Sequence, residues 1–536
     1  MALILTLAGI IIITCVLLNN ASFRLGVPVL LAFILLGIAF GNNGIYPIDF
    51  EDYDFAEQIC TIALIFIMFY GGFGTNWNSA KGVAVEAGLL ATVGVVITAG
   101  LTGVFCHFAL KWDWIESFLM GSVVSSTDAA SVFSILRSRK LGLKNHTAPL
   151  LEIESGSNDP CSYMLTVIML SLLQGSGSGW HVVWMIFSQL FFGAAFGLLI
   201  AMAAIIALKR LTFATSGFDS LFIIAVAIFS FAIPSLVGGN GYLSAYIVGI
   251  VLGNNEFQGR KDLVSFFDGF TGLMQVLIFF LLGLLAKPAM LGRAVLPALA
   301  IFAIMLLVSR PATIALVLTP FHKYGIKQQA LISFVGLRGA ASIVFAIMAT
   351  VGNDLLDNDI FNVVFCIVLL SIAIQGTLIP LVSKKLDMID PDADVMKTFN
   401  DFTDETSVQL SKVTITAQSP WAGRAIKTLG LPKYFLFCSV IHPDGTKTVP
   451  SGSTVLQVGD EAIICTKAFR NNEHKLKIVR HELSKHSKWV GTAIKDYPYR
   501  GDTQVILIKR ADGTKIIPNG KTILEEGDTL FINKNK

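Results

Sequence analysis

Charge is scarce in this chain. Only 14% of its 536 residues are Asp, Glu, Lys or Arg, against about 25% in a soluble globular protein. The deficit is uneven: residues 1–390 hold 19 Lys and Arg with 21 Asp and Glu, and the last 146 residues hold 21 and 16. The first part has the composition of a membrane protein, the last part that of a soluble one. A net charge of +3 is too small to argue for nucleic acid as a partner. Cysteine is sparse as well. Cys15, Cys60, Cys106, Cys161, Cys366, Cys438 and Cys465 form no CxxC and no metal-ligand spacing, which excludes a disulfide scaffold and a structural metal site. The N-terminus lacks a basic n-region and a small-residue cleavage site. Its apolar run, Leu3 to Leu18, leads straight into further apolar stretches and reads as a retained helix. HExxH and GxSxG are missing, so a hydrolase has no motif to stand on. A potassium filter needs a Thr-Val-Gly-Tyr-Gly type loop of carbonyls; the nearest string, Val237 to Tyr242, has the wrong order. A cation channel gated by a ligand-sensing tail is therefore the weaker of two transport readings.

What the chain has in abundance is apolar stretches. A helix needs roughly 20 apolar residues to cross a bilayer, and about thirteen such stretches lie near 3–18, 26–41, 57–75, 85–109, 116–136, 150–173, 182–208, 218–237, 240–253, 267–286, 292–318, 328–350 and 360–383. The stretch at 240–253 is short enough to be a broken span. Basic connections (Arg24, Lys81, the Arg137/Arg139/Lys140/Lys144 cluster, Lys209–Arg210, Arg260–Lys261, Lys323/Lys327) alternate with connections poor in Lys and Arg, such as Asp49 to Glu57 and the Gly/Ser run 175–179. By the positive-inside rule the N-terminus is expected outside and the part after Lys384–Lys385 in the cytoplasm, as an odd number of spans requires.

Charges inside the spans are few: Asp128, Glu152, Glu154, Asp159, Arg310 and Arg338. Each is costly in hydrocarbon and marks function by default. Asp128 stands in Ser125-Ser126-Thr127-Asp128-Ala129-Ala130-Ser131, and Arg338 in Gly336-Leu337-Arg338-Gly339-Ala340. Hydroxyls loosen the first span and glycines the second. Interrupted spans in corresponding places of two halves point to a transporter site made by inverted repeats. The densest run is Glu152-Ile153-Glu154-Ser155-Gly156-Ser157-Asn158-Asp159-Pro160. At about 100° per residue, Glu154 and Asn158 share one helix face, and Glu152 and Asp159 another. A buried carboxylate within reach of water holds either a proton or a cation, because low dielectric disfavours the bare charge. Glu154 is expected in a structural ion pair with one of the two buried arginines, leaving Asp159 for exchange.

At these residues the chain resembles the monovalent cation:proton antiporter-1 family, the NhaP-type bacterial exchangers. The matching motifs are Thr127-Asp128, the Glu152 to Asp159 run, Gly239-x-Gly241-x-Leu243-x-x-Tyr246 to Gly253-Asn254, Arg310-Pro311, and Gly336-Leu337-Arg338-Gly339. The resemblance implies a homodimer in the inner (plasma) membrane, with a core domain moving against a dimerisation domain. It implies that Asp159 carries the cation or proton, that Thr127 and Asp128 complete the site, and that Ser155 is a ligand. Asn158 stands where electrogenic relatives have a second Asp, so exchange should be electroneutral. Glu154 would pair with Arg310, Glu152 would lie toward the cytoplasmic funnel, and Arg338 would be accessory. One departure bears on selectivity. The family commonly has an acidic residue before Gly71-Gly72, and Tyr70 stands there. A site with less charge favours potassium, the more easily dehydrated ion, over sodium.

The tail carries an internal repeat. Trp421, Asp444-Gly445, Pro450-x-Gly452 and Gly459-Asp460 recur 68 residues later as Trp489, Asp512-Gly513, Pro518-x-Gly520 and Gly527-Asp528. A fixed period over this many positions means duplication. Each block reads as a short helix after Trp and then strands, with Asp-Gly hairpin turns. The blocks resemble the TrkA-C domain, the C-terminal lobe of the regulator-of-potassium-conductance domain. No GxGxxG fingerprint precedes them. The resemblance implies a small cytosolic ligand, with a nucleotide the first to try. His442, His474, His481 and His486 read as surface residues. The fold class expected is thus an all-α polytopic membrane domain with inverted repeats (1–386), a linker (387–405), and an α+β regulatory region of two repeats (406–470 and 471–536). The expected function is secondary antiport of K+ or Na+ against H+, without an organic or metal cofactor and without enzymatic activity.

Overall fold

The computed structural model describes residues 6, 9–18, 28–41, 48, 50–139, 141–175, 179–210, 217–255, 257, 260–351, 355–390, 408–431, 435–444, 446–467, 477–483, 487, 489–496, 503–510, 515–516, 518 and 521–534. Arg24, Lys140, His474, His486, the Gly/Ser residues 176–178 and the linker residues 391–405 lie outside these. Two units divide the chain, Met1–Thr403 and Asp404–Lys536.

Leaving out single turns, the described part of the first unit holds fifteen helices. They are α1 (Gly9–Leu18), α2 (Val29–Phe40), α3 (Tyr53–Gly74), α4 (Ala84–Leu110), α5 (Trp114–Val123), α6 (Ala129–Ser138), α7 (Thr147–Leu173), α8 (Gly179–Arg210), α9 (Phe218–Leu236), α10 (Gly241–Gly253), α11 (Arg260–Leu285), α12 (Leu291–Phe321), α13 (Ile326–Phe334), α14 (Ala340–Thr350) and α15 (Ile360–Lys385). Seven of these, α3, α4, α8, α9, α11, α12 and α15, are long and apolar enough to cross a membrane by themselves. α7 is as long, but three carboxylates interrupt its first half. α5 with α6, and α13 with α14, are half-helices separated by non-helical backbone at 124–128 and 335–339. Counted as single broken spans, they return the thirteen expected from hydropathy.

The order of irregularities reveals the repeat. A span with a π-helical turn (α4, Leu90–Gly94), a broken span (α5–α6) and a long helix (α7) are followed seven spans later by the same sequence: α12 with its π turn Met305–Ser309, broken α13–α14, and α15, which has a π turn at Ser371–Gly376. An odd offset inverts one set against the other. The interior is apolar and aromatic, with Phe69, Phe267, Phe279, Phe345, Phe361 and Phe365 fully buried. Small residues let backbones approach where lipid supplies no hydrophobic drive between helices. A Cβ on Gly37 of α2 would stand 2.8 Å from the Cα of Gly283 on α11.

A two-residue antiparallel ladder joins β1 (Gly142–Leu143), in the loop between α6 and α7, to β2 (Ile389–Asp390), after α15. The second unit holds two four-stranded antiparallel sheets of the same topology. One runs β3-β6-β4-β5, from β3 (Val408–Thr414), β4 (Leu436–Ile441), β5 (Lys447–Thr448) and β6 (Glu461–Lys467). The other runs β7-β10-β8-β9, from β7 (Lys477–Glu482), β8 (Thr503–Lys509), β9 (Lys515–Ile516) and β10 (Thr529–Lys534). The short helix expected after each Trp is one 3-10 turn, Ile426–Thr428 and Ile494–Asp496. In the first lobe Gly430, with φ of 61°, stops it at once.

Candidate functional site

The two broken spans meet at their breaks. Asp128 N donates to Leu337 O at 2.8 Å, and Arg338 Nη1 donates to Ser126 O at 2.9 Å. Each break thus supplies backbone groups that the other satisfies. Gly339 is required there, since a Cβ would collide with the Asp128 carboxylate. Asp128 caps α6: Oδ1 accepts from Ser131 N at 3.1 Å, and Oδ2 accepts from the Ser131 hydroxyl. It lies where α6 and α14 both begin, and the positive ends of two helix dipoles favour a carboxylate. Arg338 lies by contrast near the carbonyl ends of α5 and α13. Its backbone N donates to Ser371 Oγ at 3.0 Å, Ser371 Oγ donates to Gln375 Oε1 at 2.6 Å, and Gln375 Nε2 donates to Phe334 O at 2.8 Å. The π turn of α15 carries both Ser371 and Gln375.

α7 lies against this crossing with its polar run. Ser155 Oγ donates to Thr127 O at 2.7 Å and accepts from Ala129 N at 2.8 Å, so the hydroxyl bridges the break between α5 and α6. Asn158 Nδ2 donates to Thr127 Oγ1 at 2.7 Å. Asn158 is 1% exposed, and its Oδ1 has no hydrogen-bond partner among the described residues. Asp159 is buried and accepts a hydrogen bond from the Ser126 hydroxyl. Pro160 follows; it has no N–H to give to the carbonyl four residues earlier, and its own carbonyl accepts from Asn240 Nδ2 at 2.8 Å. Beside two helix breaks, α7 thus carries a buried carboxylate bonded to the Ser126 hydroxyl and, on the preceding residue, an amide oxygen without a hydrogen-bond partner among the described residues. They are oxygen ligands of the kind a monovalent cation takes, and a proton fits the carboxylate equally.

Glu154 and Arg310 are both buried, with Oε1 2.5 Å from Nη2. The π turn Met305–Ser309 of α12 immediately precedes Arg310, and single π turns inside α-helices are frequent at functional sites. Gly336 makes room: a Cβ would stand 2.8 Å from Arg310 Nε. Glu152 is half-buried, two turns before Asp159 on α7. Tyr70 does not join the cluster through its hydroxyl, which donates to Val264 O of α11 at 3.3 Å, while its ring stacks on Phe267.

Ser126 is the residue that sequence reasoning passed over. It stood in the hydroxylated run, but only the crossing shows which hydroxyl reaches Asp159. Asp128 and Ser155 spend their oxygens on the break itself. In the tail, His442 is no free surface histidine. Its ring meets the fully buried Asp460 at 2.8 Å; His481 is exposed.

Residues 9–385 match the family "Sodium/hydrogen exchanger, transmembrane", and residues 410–468 and 478–533 each match the TrkA-C domain. The K(+)/H(+) antiporter NhaP of Alkalimonas amylolytica is 32% identical over 463 residues, which cover 86% of this chain and 80% of that protein. The K(+)/H(+) antiporter NhaP2 of Shewanella oneidensis is 33% identical, covering 84% and 78%. Among solved structures, the sodium proton antiporter MjNhaP1 of Methanocaldococcus jannaschii superposes with a TM-score of 0.63 at 22% identity, covering 72% of this chain and 99% of that one, a likeness of fold. With its inverted repeat, its crossing of broken helices and these matches, the chain belongs to the transmembrane sodium/hydrogen exchanger family and carries two TrkA-C domains.

Proposed function

We propose that this chain is an electroneutral secondary antiporter exchanging a monovalent cation, K+ in preference to Na+, for H+, with its tail setting the rate. The observation that carries the reading is Asp159, buried beside the unpaired oxygen of Asn158 at the helix crossing. The charges around it balance: Glu154 against Arg310, and Asp128, held by two helix starts, against Arg338. Asp159 then supplies the one charge that a proton or a cation must neutralise in turn, and alternating occupancy moves one positive charge each way. Asn158 orients the ion through Oδ1, and Ser126 holds the carboxylate. Thr127 and Ser155 shape the break, the Ser155 hydroxyl donating to Thr127 O and accepting from Ala129 N. Glu152 lines the approach from the cytoplasm. Potassium is favoured because α3 offers the phenol of Tyr70, turned toward Val264, instead of a carboxylate. The names of the NhaP and NhaP2 relatives agree.

The remaining organisation follows the sequence reading: residues 1–386 as the transport domain in the inner membrane with the N-terminus outside, 387–405 as linker, 406–470 and 471–536 as cytoplasmic lobes, two chains forming a homodimer, and a small nucleotide as the ligand of the lobes. The route from tail to site is the β1–β2 ladder. Lys144, next to β1, donates its backbone N to Met388 O at 3.0 Å and pairs through Nζ with Asp387 at 2.9 Å. Thr147 opens α7 three residues later with its hydroxyl on Lys144 O. The root of the tail is therefore bonded to the loop that joins both site-bearing helices. The test is dissipation of an imposed pH gradient in proteoliposomes by K+, Na+ or choline. We expect K+ to be most effective, choline ineffective, and Asp159→Asn inactive with all three; equal rates with choline would overturn the reading.

A further inference from the structure

Among the positions at which the two tail lobes differ, one faces a repeated buried aspartate. The 68-residue period sets His442 opposite Arg510 and Asp460 opposite Asp528. Both aspartates are fully buried. Both accept a backbone N–H from three residues earlier at 2.8 Å, Gln457 in one lobe and Glu525 in the other. Both hold the residue just after the lobe's first strand through their carbonyl: Ile415 N donates to Asp460 O and Leu483 N to Asp528 O, each at 2.8 Å. In the second lobe the buried carboxylate has a permanent counter-charge, with Arg510 Nη1 2.8 Å from Asp528 Oδ2 and Nη2 3.2 Å from Glu525. In the first lobe the partner is an imidazole. His442 Nδ1 is 2.8 Å from Asp460 Oδ1, and Nε2 is 3.1 Å from Thr448 Oγ1.

Arginine stays charged at every physiological pH, whereas histidine changes charge between about pH 5 and 8. The same buried aspartate is thus charge-paired always in one lobe and only on proton binding in the other. The two hydrogen bonds of His442 survive either way. The neutral ring donates at Nδ1 and accepts from Thr448 at Nε2; the imidazolium donates at both. Only the charge balance around Asp460 changes. The other charged groups near the ring are Asp444 in the same turn, Lys447 on β5, and the Glu461–Lys412 pair on β6 and β3. Asp460 holds the backbone just after β3, and β3 is the first strand to follow the linker from the transport domain.

We propose that His442 with Asp460 is a regulatory proton-binding site, separate from Asp159, through which cytosolic pH sets the transport rate. Proton binding completes the charge pair and tightens the first lobe; proton loss leaves the carboxylate buried without a counter-charge and loosens it. The proposal rests on the reading that the tail gates transport.

The experiment uses the full chain in everted membrane vesicles, where the tail faces the bath. It measures initial K+/H+ exchange from about pH 6 to about pH 8. His442→Arg copies the second lobe and should hold the rate at its acid-side level. His442→Gln keeps hydrogen bonds without charge and should hold the alkaline-side level. Arg510→His should add a second pH-dependent component. Melting temperatures of the purified variants identify any that fail to fold, and Arg510→His remains informative if one does. Profiles of His442→Arg and His442→Gln that overlay the unaltered chain, or that move in the same direction, overturn the proposal. A chain ended after Asp390 separates the two ideas. If ending it there changes the profile while the His442 variants do not, the proton site fails and gating stands. If it changes nothing, both fail.

Discussion

A carboxylate beside an amide makes a narrower chemical demand than a pair of carboxylates. Asp159 can neutralise one proton or one monovalent cation, and Asn158 can add a dipole but no charge. Asp159→Asn should therefore abolish exchange while the purified protein keeps its melting temperature, because the amide still accepts from Ser126. Glu154→Gln should behave in the opposite way. It leaves Arg310 buried without its partner, which costs on the order of 3–5 kcal/mol, so melting should fall well below that of Asp159→Asn; equal melting curves would contradict the assignment. Ser126→Ala removes a hydrogen bond to a charged group, worth roughly 1.5–3 kcal/mol. If Ser126 steadies the cation-bound carboxylate, apparent K+ affinity should drop about tenfold with the maximal rate less affected, as cation titrations of flux would show. Most of these residues were legible because charge in a hydrophobic stretch is conspicuous. Ser126 was not, since nothing in a run of hydroxyls says which one faces another helix.

At the scale of elements, hydroxyls around Asp128 and glycines around Arg338 announced two broken spans, and the structure has both. The three π turns carried no such signal. Each lies within an unbroken apolar run, and one extra residue per turn leaves hydropathy unchanged. One of them nevertheless leads directly into Arg310, and another carries Ser371 and Gln375. The crossing depends on Gly339, so Gly339→Ala should lose exchange and lower thermal stability together, a cost of about 1–3 kcal/mol or more for overpacking, read by calorimetry and flux on the same preparation. The β1–β2 ladder was also invisible, because two-residue strands show no period. Its Lys144–Asp387 pair is exposed. The Lys144 ammonium, by hydrogen bond and by charge, holds the Asp387 carboxyl below its ordinary range. A depressed carboxyl gives its contribution above its ordinary range and loses it as pH falls through the depressed value, so the pair persists at neutral pH and is lost only under strong acid. Lys144→Ala should barely move the melting temperature, as surface pairs are weak, yet uncouple the tail. Its rate-against-pH profile should approach that of a chain ended after Asp390; a profile like that of the unaltered chain would remove the ladder from the gating route.

For the whole molecule, a large part rich in apolar spans holds a few charges that nearly cancel, and a smaller part of ordinary composition repeats one small lobe twice. The proposed exchange rests on the charge balance at the crossing: Asp159 would alternate between proton and cation, with Glu154 paired to Arg310 and Asp128 set at two helix starts. The proposed electroneutrality follows from that balance. The most direct measurement is K+-driven collapse of a pH gradient in proteoliposomes whose membrane potential is clamped at different values, for the unaltered chain and for Asp159→Asn. The account predicts a K+-dependent rate that does not change with potential, and no exchange by Asp159→Asn. A rate that follows the potential, or coupled exchange that survives in Asp159→Asn, would contradict it.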